Sequence, residues 1–400
     1  MGCGRGRDES GKSGKGNKSG KSGKSGKSGK SGKAGKAGKA GSLSTGGGRK
    51  KGKKKSTTHE SPLFMKTIKG HGGEVYSASF VAKGMVLATT SSDRTVQFHA
   101  TTAKTLKAAS MPVKVMPIEL DEVKCLASVP DADVAVGLSG YAGDVVVFDL
   151  SFSAWLASSS SRDPVATERT RFQPGHRDDI LKLLLWGGAN AAPVVVTVGR
   201  DTLVRIHSTS GTELAVLDTK QMRNNNAAVS ADGRFFAVAA FTSDVKIYEA
   251  VRDKAGAFTG VELAMDLGGH TRSVNFVSFS ADACRVATLS LDGSWILWDI
   301  DVRYMVNEDP HILHVAALDD AGLTADAIHV FELSPDGNTL AFAINADIML
   351  FDANSGEAIA TITDAHGESI RITSLVWHPS SKALISTAAM DKHVRLWKTS

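Results

Sequence analysis

Residues Gly269 to Asp299 read GHTRSVNFVSFSADACRVATLSLDGSWILWD. A Gly-His step opens the stretch, a strand follows, then a turn, a β-branched strand, an Asp turn and a last strand that ends in Trp298-Asp299. The same order recurs. Gly70-His71 leads to Asp93 and His99, Gly175-His176 to Asp201 and His207, and Ala365-His366 to Asp391 and Trp397. In all four copies the residue four before the Asp is Thr (Thr89, Thr197, Thr288, Thr387), and the residue six after it is Trp or His. A His at the head of such a unit can relay hydrogen bonds among Thr, Asp and Trp or His, which would satisfy polar groups in a buried sheet. His71, His176, His270 and His366 are therefore read as structural: an active site is built once and not in every unit.

Between the four strong copies lie three weaker ones without the Gly-His. Each ends in a strand-like run: Asp144-Val-Val-Val-Phe148-Asp149, Asp244-Val-Lys-Ile-Tyr248-Glu249 and Asp347-Ile-Met-Leu-Phe351-Asp352. Strong and weak units alternate to give seven, each of roughly 40 to 50 residues, the blade length of a closed β-propeller. The expected fold is all-β, a seven-bladed propeller over 62–400. The last unit stops at Val394-Arg-Leu-Trp397 and lacks a fourth strand, whereas Leu63 to Ile68 stands before the first Gly-His. Residues 63–68 are therefore expected to pair with the last blade and cover its open edge.

The repeated spacing, the Gly-His steps and Trp298-Asp299 resemble the WD40-repeat family; Trp397-Lys398 departs from its final dipeptide. That resemblance implies a protein-binding propeller without a cofactor, monomeric, whose Gly-His and Asp loops gather on one face. On it, Arg94, Arg200 and Lys392 flank Asp turns, Arg272 follows a Gly-His, and Gln221-Met222-Arg223-Asn224-Asn225-Asn226 fills the loop of a weak blade. These are the candidate partner-facing residues, since Arg and Met favour interfaces and an Arg-lined rim suits acidic or phosphorylated peptides. Within the family, Gln221-Met222, Ala-Ala-Val-Ser230, Gly233-Arg234-Phe235, Phe241-Thr242, Asp292-Gly293-x-Trp295 and Asp309-Pro310 resemble one branch of adaptors. The likeness implies a place at the cytosolic face of the endoplasmic reticulum, with a stress-activated kinase and translation components of the unfolded-protein response as partners. This chain carries a Gly/Ser/Lys tail where that branch has an apolar anchor.

Charge divides the 400-residue chain. Residues 1–61 hold 18 Lys+Arg against Asp8, Glu9 and Glu60, a net +15, and the remainder holds 29 basic and 39 acidic residues, a net −10. Gly11 to Gly41 is close to a Ser-Gly-Lys triplet repeat with nothing to bury, so residues 1–61 are expected to be disordered. Gly6 to Ser13 fits GxxxxGK[ST] but follows no strand. Met1-Gly2-Cys3 hints at acylation, although Gly6 stands where the myristoylation pattern wants Ser or Thr, and Asn17-Lys18-Ser19 is a formal glycosylation sequon. Arg49 to Lys55 could attract anionic lipid, RNA or a nuclear import receptor. The acidic body is unsuited to phosphates, so an RNA-related nuclear or ribosomal role, the alternative reading, would rest on the tail. Cys3, Cys125 and Cys284 form neither a CxxC nor an even set. No HExxH, EF-hand or dinucleotide motif appears in the body, which leaves an enzyme as the weakest reading and a cytoplasmic scaffold as the leading one.

Overall fold

The computed structural model describes residues 61–108, 111–118, 121–129, 133–140, 143–157, 163–188, 191–380 and 384–399. The readings of residues 1–60, which include the phosphate-loop pattern, the acylation and glycosylation signals and the Arg49 to Lys55 cluster, lie outside them. Short apolar runs bounded by Gly, Asp and Ser become strands, and the strands group into seven four-stranded antiparallel sheets.

After β1 (Phe64–Lys69), blade 1 is β2 (Val75–Val81), β3 (Val86–Ser91), β4 (Thr95–Ala100) and β5 (Val113–Pro117). Blade 2 is β6 (Val123–Ser128), β7 (Val134–Ser139), β8 (Val145–Leu150) and β9 (Ala166–Phe172). Blade 3 is β10 (Ile180–Trp186), β11 (Val194–Gly199), β12 (Leu203–Ser208) and β13 (Glu213–Asp218). Blade 4 is β14 (Asn224–Val229), β15 (Phe235–Ala240), β16 (Asp244–Arg252) and β17 (Phe258–Gly268). Blade 5 is β18 (Val274–Phe279), β19 (Arg285–Ser290), β20 (Ser294–Asp299) and β21 (His311–Ala317). Blade 6 is β22 (Ile328–Leu333), β23 (Thr339–Ile344), β24 (Asp347–Asp352) and β25 (Ala358–Ile362). Blade 7 is β26 (Ile372–Trp377), β27 (Leu384–Ala389) and β28 (His393–Lys398).

The first strand of each blade touches the first strand of the next, from β2 through β6, β10, β14, β18, β22 and β26 back to β2, so these strands line a central channel. The second strands are the most buried; every residue of β3, β11 and β15 is inaccessible, as their Val, Ala, Leu and Phe side chains meet neighbouring blades on both faces. β1 supplies the outermost strand of blade 7, with Ile68 opposite Val394 and Thr67 opposite Arg395. Phe64 meets the Trp397 ring edge-on at 5.4 Å. Ile68 also joins Val75, Phe80, Leu87, Val394 and Leu396 in the apolar seam between blades 1 and 7. β10 and β11 form a hairpin whose Gly187-Gly188 segment lies against blade 4. A Cβ on Gly233, where φ is +75°, would fall 2.3 Å from the Gly187 carbonyl carbon, so this close approach requires glycine. Among the described residues, no helix is long and apolar enough to cross a membrane.

Candidate functional site

The loops that lead into first strands and the turns between second and third strands share one end of the ring. In four blades they are tied together by one recurring set of side chains. In blade 5, His270 Nδ1 lies 3.1 Å from Asp292 and its Nε2 lies 2.8 Å from Thr288 Oγ1, while Trp298 Nε1–H donates to that hydroxyl at 2.9 Å. Direction follows from the fixed donor. Trp298 donates to Thr288, Thr288 can donate to His270 Nε2, and His270 Nδ1–H then donates to the Asp292 carboxylate. With Thr288 as the donor the imidazole is neutral, in keeping with a pKa that burial lowers against the pull of Asp292. Asp292 also accepts from the Thr271 amide at 2.9 Å and from the Ser294 amide and hydroxyl, which shapes the turn.

Blade 7 repeats the arrangement with His366 3.1 Å from Asp391, 2.5 Å from Thr387, and Trp397 Nε1 3.3 Å from the same hydroxyl. In blade 1, His71 is 3.0 Å from Asp93 and 2.8 Å from Thr89, and His99 Nε2 replaces the indole at 3.3 Å. Burial lowers the His99 pKa to about 3, and the neighbouring His71 adds to the effect. In blade 3, His176 reaches Asp201 at 3.0 Å and Thr197 at 2.9 Å. There the sequence reading needs a correction, because His207 does not join the chain. Its ring packs on Phe172 at 4.9 Å, its Nε2 faces Glu213 at 3.9 Å, and its buried Nδ1 has no hydrogen-bond partner among the described residues.

The weak blades fill the same positions with apolar groups. Register places Gly137, Val238 and Phe342 where the Thr stands, and Phe148, Tyr248 and Phe351 where the Trp or His stands. Phe342 and Phe351 pack at 5.0 Å. With no Thr hydroxyl buried at that position, no His is needed there to satisfy one. Blade 2 keeps a different polar link, in which the Ser139 hydroxyl donates to Asp121 and Arg171 lies 3.5 Å from that carboxylate.

Of the candidate partner-facing residues, Arg94, Arg200, Met222, Arg223, Arg272 and Lys392 are exposed. Arg94 and Lys392 occupy left-handed turn positions after Asp93 and Asp391. Lys392 donates to the Gly72 carbonyl at 2.8 Å, Arg272 to that of Leu291 at 2.8 Å, and Arg200 stands 3.5 Å from Asp179. Met222 is 75% exposed beside Arg223, whose guanidinium lies over the Phe241 ring at 5.6 Å. Gln221 is a second correction: it is only 6% exposed, and its amide donates to Thr242 Oγ1 at 3.1 Å and to the Asp244 carbonyl at 3.2 Å. Thr242 stands two residues beyond β15, as Asp292 stands two beyond β19, so Gln221 and Thr242 take the places of His and Asp in blade 4. Asn224 to Asn226 belong to β14, and Asn224 and Asn226 are buried.

Residues that the repeat pattern did not single out line the channel. A cavity of about 350 Å³ between the first strands of blades 3 to 7 holds Lys182, Ser278, His329 and Glu332. The Ser278 hydroxyl donates to Glu332 at 3.1 Å. Burial pushes the Glu332 carboxyl up, while the charge of Lys182 and the Ser278 bond oppose it. The Cys125 thiol, on β6, is pushed up to about 11 by burial. No spacing in the sequence marks these positions, which come from separate blades. Among the described residues there is no cluster of His, Cys, Asp and Glu able to hold a metal ion.

Comparison with known proteins agrees with the ring. The model of the WD domain, G-beta repeat, matches residues 63–99, 261–299 and 356–398. Transducin beta-like protein 2 of Homo sapiens is 30% identical over 338 residues, 84% of this chain and 71% of that protein. Its Mus musculus counterpart is 30% identical over 349 residues, 87% of this chain and 75% of that protein. Over 150 residues, 36% of this chain and 43% of the relative, small ribosomal subunit protein RACK1 of Neurospora crassa is 26% identical.

Proposed function

The chain belongs to the WD40-repeat family that includes transducin beta-like protein 2, and from that premise we propose that it is a non-enzymatic scaffold that holds other proteins on the loop-bearing end of its propeller. The observation that carries this reading is the use made of the chemically capable side chains. His71, His176, His270 and His366, each with its Asp and Thr, are tied inside the blades. The loops around them present Arg94, Met222, Arg223 and Arg272 outward. Such a surface suits acidic or phosphorylated segments. The likeness to transducin beta-like protein 2 supports a finer version, in which the scaffold serves at the cytosolic face of the endoplasmic reticulum with a stress-activated kinase and translation components.

Affinity capture with the full chain, alongside a variant carrying Met222→Asp, Arg223→Glu and Arg272→Glu, tests the reading. A defined set of proteins held by the first and lost by the second is expected; equal capture by both would sink it. The net +15 of residues 1–61, with the shorter match to a protein named for the small ribosomal subunit, favours one second reading, RNA contact through the tail. RNA crosslinking that persists after deletion of the tail would refute that mechanism.

A further inference from the structure

Each blade ends in an outer strand whose free edge carries unpaired backbone amides and carbonyls, and propellers must keep such edges from recruiting other strands. Six of the seven edges here carry a deterrent or are short. β1 has Lys66 and Lys69, β5 has Lys114 and Pro117, β9 has Glu168, Arg169 and Arg171, β13 has Glu213 and Asp218, and β17 has Glu262 and Asp266. β25 is uncharged, but it has five residues and exposes one large apolar side chain, Ile359. β21 is different. Its seven residues, HILHVAA, include no Lys, Arg, Asp, Glu or Pro, and Ile312, Leu313 and Val315 are 49%, 45% and 53% exposed. Among the described residues no strand pairs with its outer side.

A cavity of about 380 Å³ opens beside β21, toward blade 6, lined by Trp295, His314, Val315, Phe351 and Ala358. The His314 ring is tilted against Trp295 at 5.3 Å, and its buried Nε2 has no hydrogen-bond partner among the described residues. Gly356, also on the cavity wall, packs closely on this nitrogen, since a Cβ there would fall 2.6 Å from it. Charge surrounds the apolar centre at both ends: Glu308, paired with Arg303 at 2.9 Å, and Asp309 precede β21, while Asp319, Asp320 and Glu357 follow it in the chain, the last four exposed.

We propose that the outer edge of β21 binds an extended segment of another protein by β-strand addition, a segment uncharged and β-branched in its middle and flanked by Lys or Arg. Backbone pairing along β21 supplies the affinity, one small hydroxyl or apolar side chain enters the cavity beside His314, and the acidic ends fix the basic flanks. A second copy of this chain fits poorly. Its body carries a net −10 from residue 62 onward, and antiparallel self-pairing would bring two sets of Glu308, Asp309, Asp319 and Asp320 together. The proposal rests on the scaffold reading but uses a different surface from the loop face, so each can fail alone.

The test is fluorescence anisotropy of a labelled peptide, Lys-Lys-Val-Thr-Val-Thr-Val-Thr-Lys-Lys, titrated with the full chain. Saturable binding is expected, at least tenfold weaker for the same peptide N-methylated at alternate residues, which keeps its charge but blocks pairing. Val315→Lys should weaken binding as much without moving the melting midpoint, while Leu214→Lys on the β13 edge should leave it unchanged. Equal binding of the N-methylated peptide would reduce the effect to charge attraction and overturn the proposal. So would indifference to Val315→Lys, or light scattering that finds a dimer dissolved by that substitution, which would make the occupant a second copy. Loss of capture through the Met222, Arg223 and Arg272 loops would leave this binding intact.

Discussion

At the residue scale the molecule turns on which polar groups are buried and what satisfies them. Thr288 is fully inaccessible, and its hydroxyl serves both Trp298 and His270. Trp298→Phe removes the one donor while keeping most of the apolar surface, and should lower stability by about 1 kcal/mol in denaturant titration. Gln221 plays the matching part in blade 4, where the pairing is Gln221 with Thr242. Gln221→Ala should cost about 1–3 kcal/mol, because Thr242 and the Asp244 carbonyl lose a buried donor, whereas Met222→Ala one residue on should cost next to nothing. A partner-binding loss from Gln221→Ala without any change in stability would show that the buried assignment of Gln221 is wrong. The spacing of Gly-His, Thr and Asp made the braced blades legible in the sequence. Gln221 was not, because it stands beside exposed Met222 and Arg223 in a run that reads as polar loop. His207 was not either, since ring packing on Phe172 leaves no mark on residue spacing.

Among elements, β1 is the one whose place in the chain and place in the fold are furthest apart. Ile68 is buried in the seam of blades 1 and 7, opposite Val394. Ile68→Asp places a charge among Val75, Phe80, Leu87 and Leu396, and should destabilise the ring by roughly 3 kcal/mol or more. Amide exchange would then rise first in β28, which loses its outer neighbour; uniform exchange across all blades would mean that β1 does not seal this edge. The alternation of strong and weak units was readable because strong blades need a polar signature. Weak blades hide theirs, since an apolar set such as Phe342 with Phe351 or Val238 with Tyr248 is indistinguishable in sequence from any strand interior. The exposed edge of β21 was equally hidden, as its significance lies in what the other six edges carry.

For the whole molecule, the braces make stability depend on pH. Burial holds His71, His270 and His366 below the usual 6.5, and His99 down to about 3. The unfolded chain therefore binds protons near pH 6.5 that the native ring refuses, so this stability is fully present above pH 6.5 and is lost as pH falls below it. Hydrogen bonds from Thr95, the Gly72 amide and His71 hold Asp93 below 3.8 despite its burial, and Asp292 and Asp391 behave likewise, so their share is lost only in stronger acid. The melting midpoint should fall between pH 7.5 and pH 5, and His99→Phe, which installs the ring that Phe148 supplies in blade 2, should shrink that fall. A midpoint independent of pH over this range would contradict neutral buried imidazoles. The ring itself was legible because seven short units of one length can bury their faces only by closing on each other. The channel residues Lys182, Ser278 and Glu332 were not, as they come together from separate blades.

His–Asp contacts act as internal braces of the ring, and a double-mutant cycle on His270→Ala and Asp292→Ala measures that contact itself. Each single variant should cost about 1–3 kcal/mol, and the pair should cost less than their sum by about 1 kcal/mol, with partner capture unchanged. Additive losses within about 0.3 kcal/mol, or single variants that unfold at the wild-type midpoint yet release the partners, would contradict it.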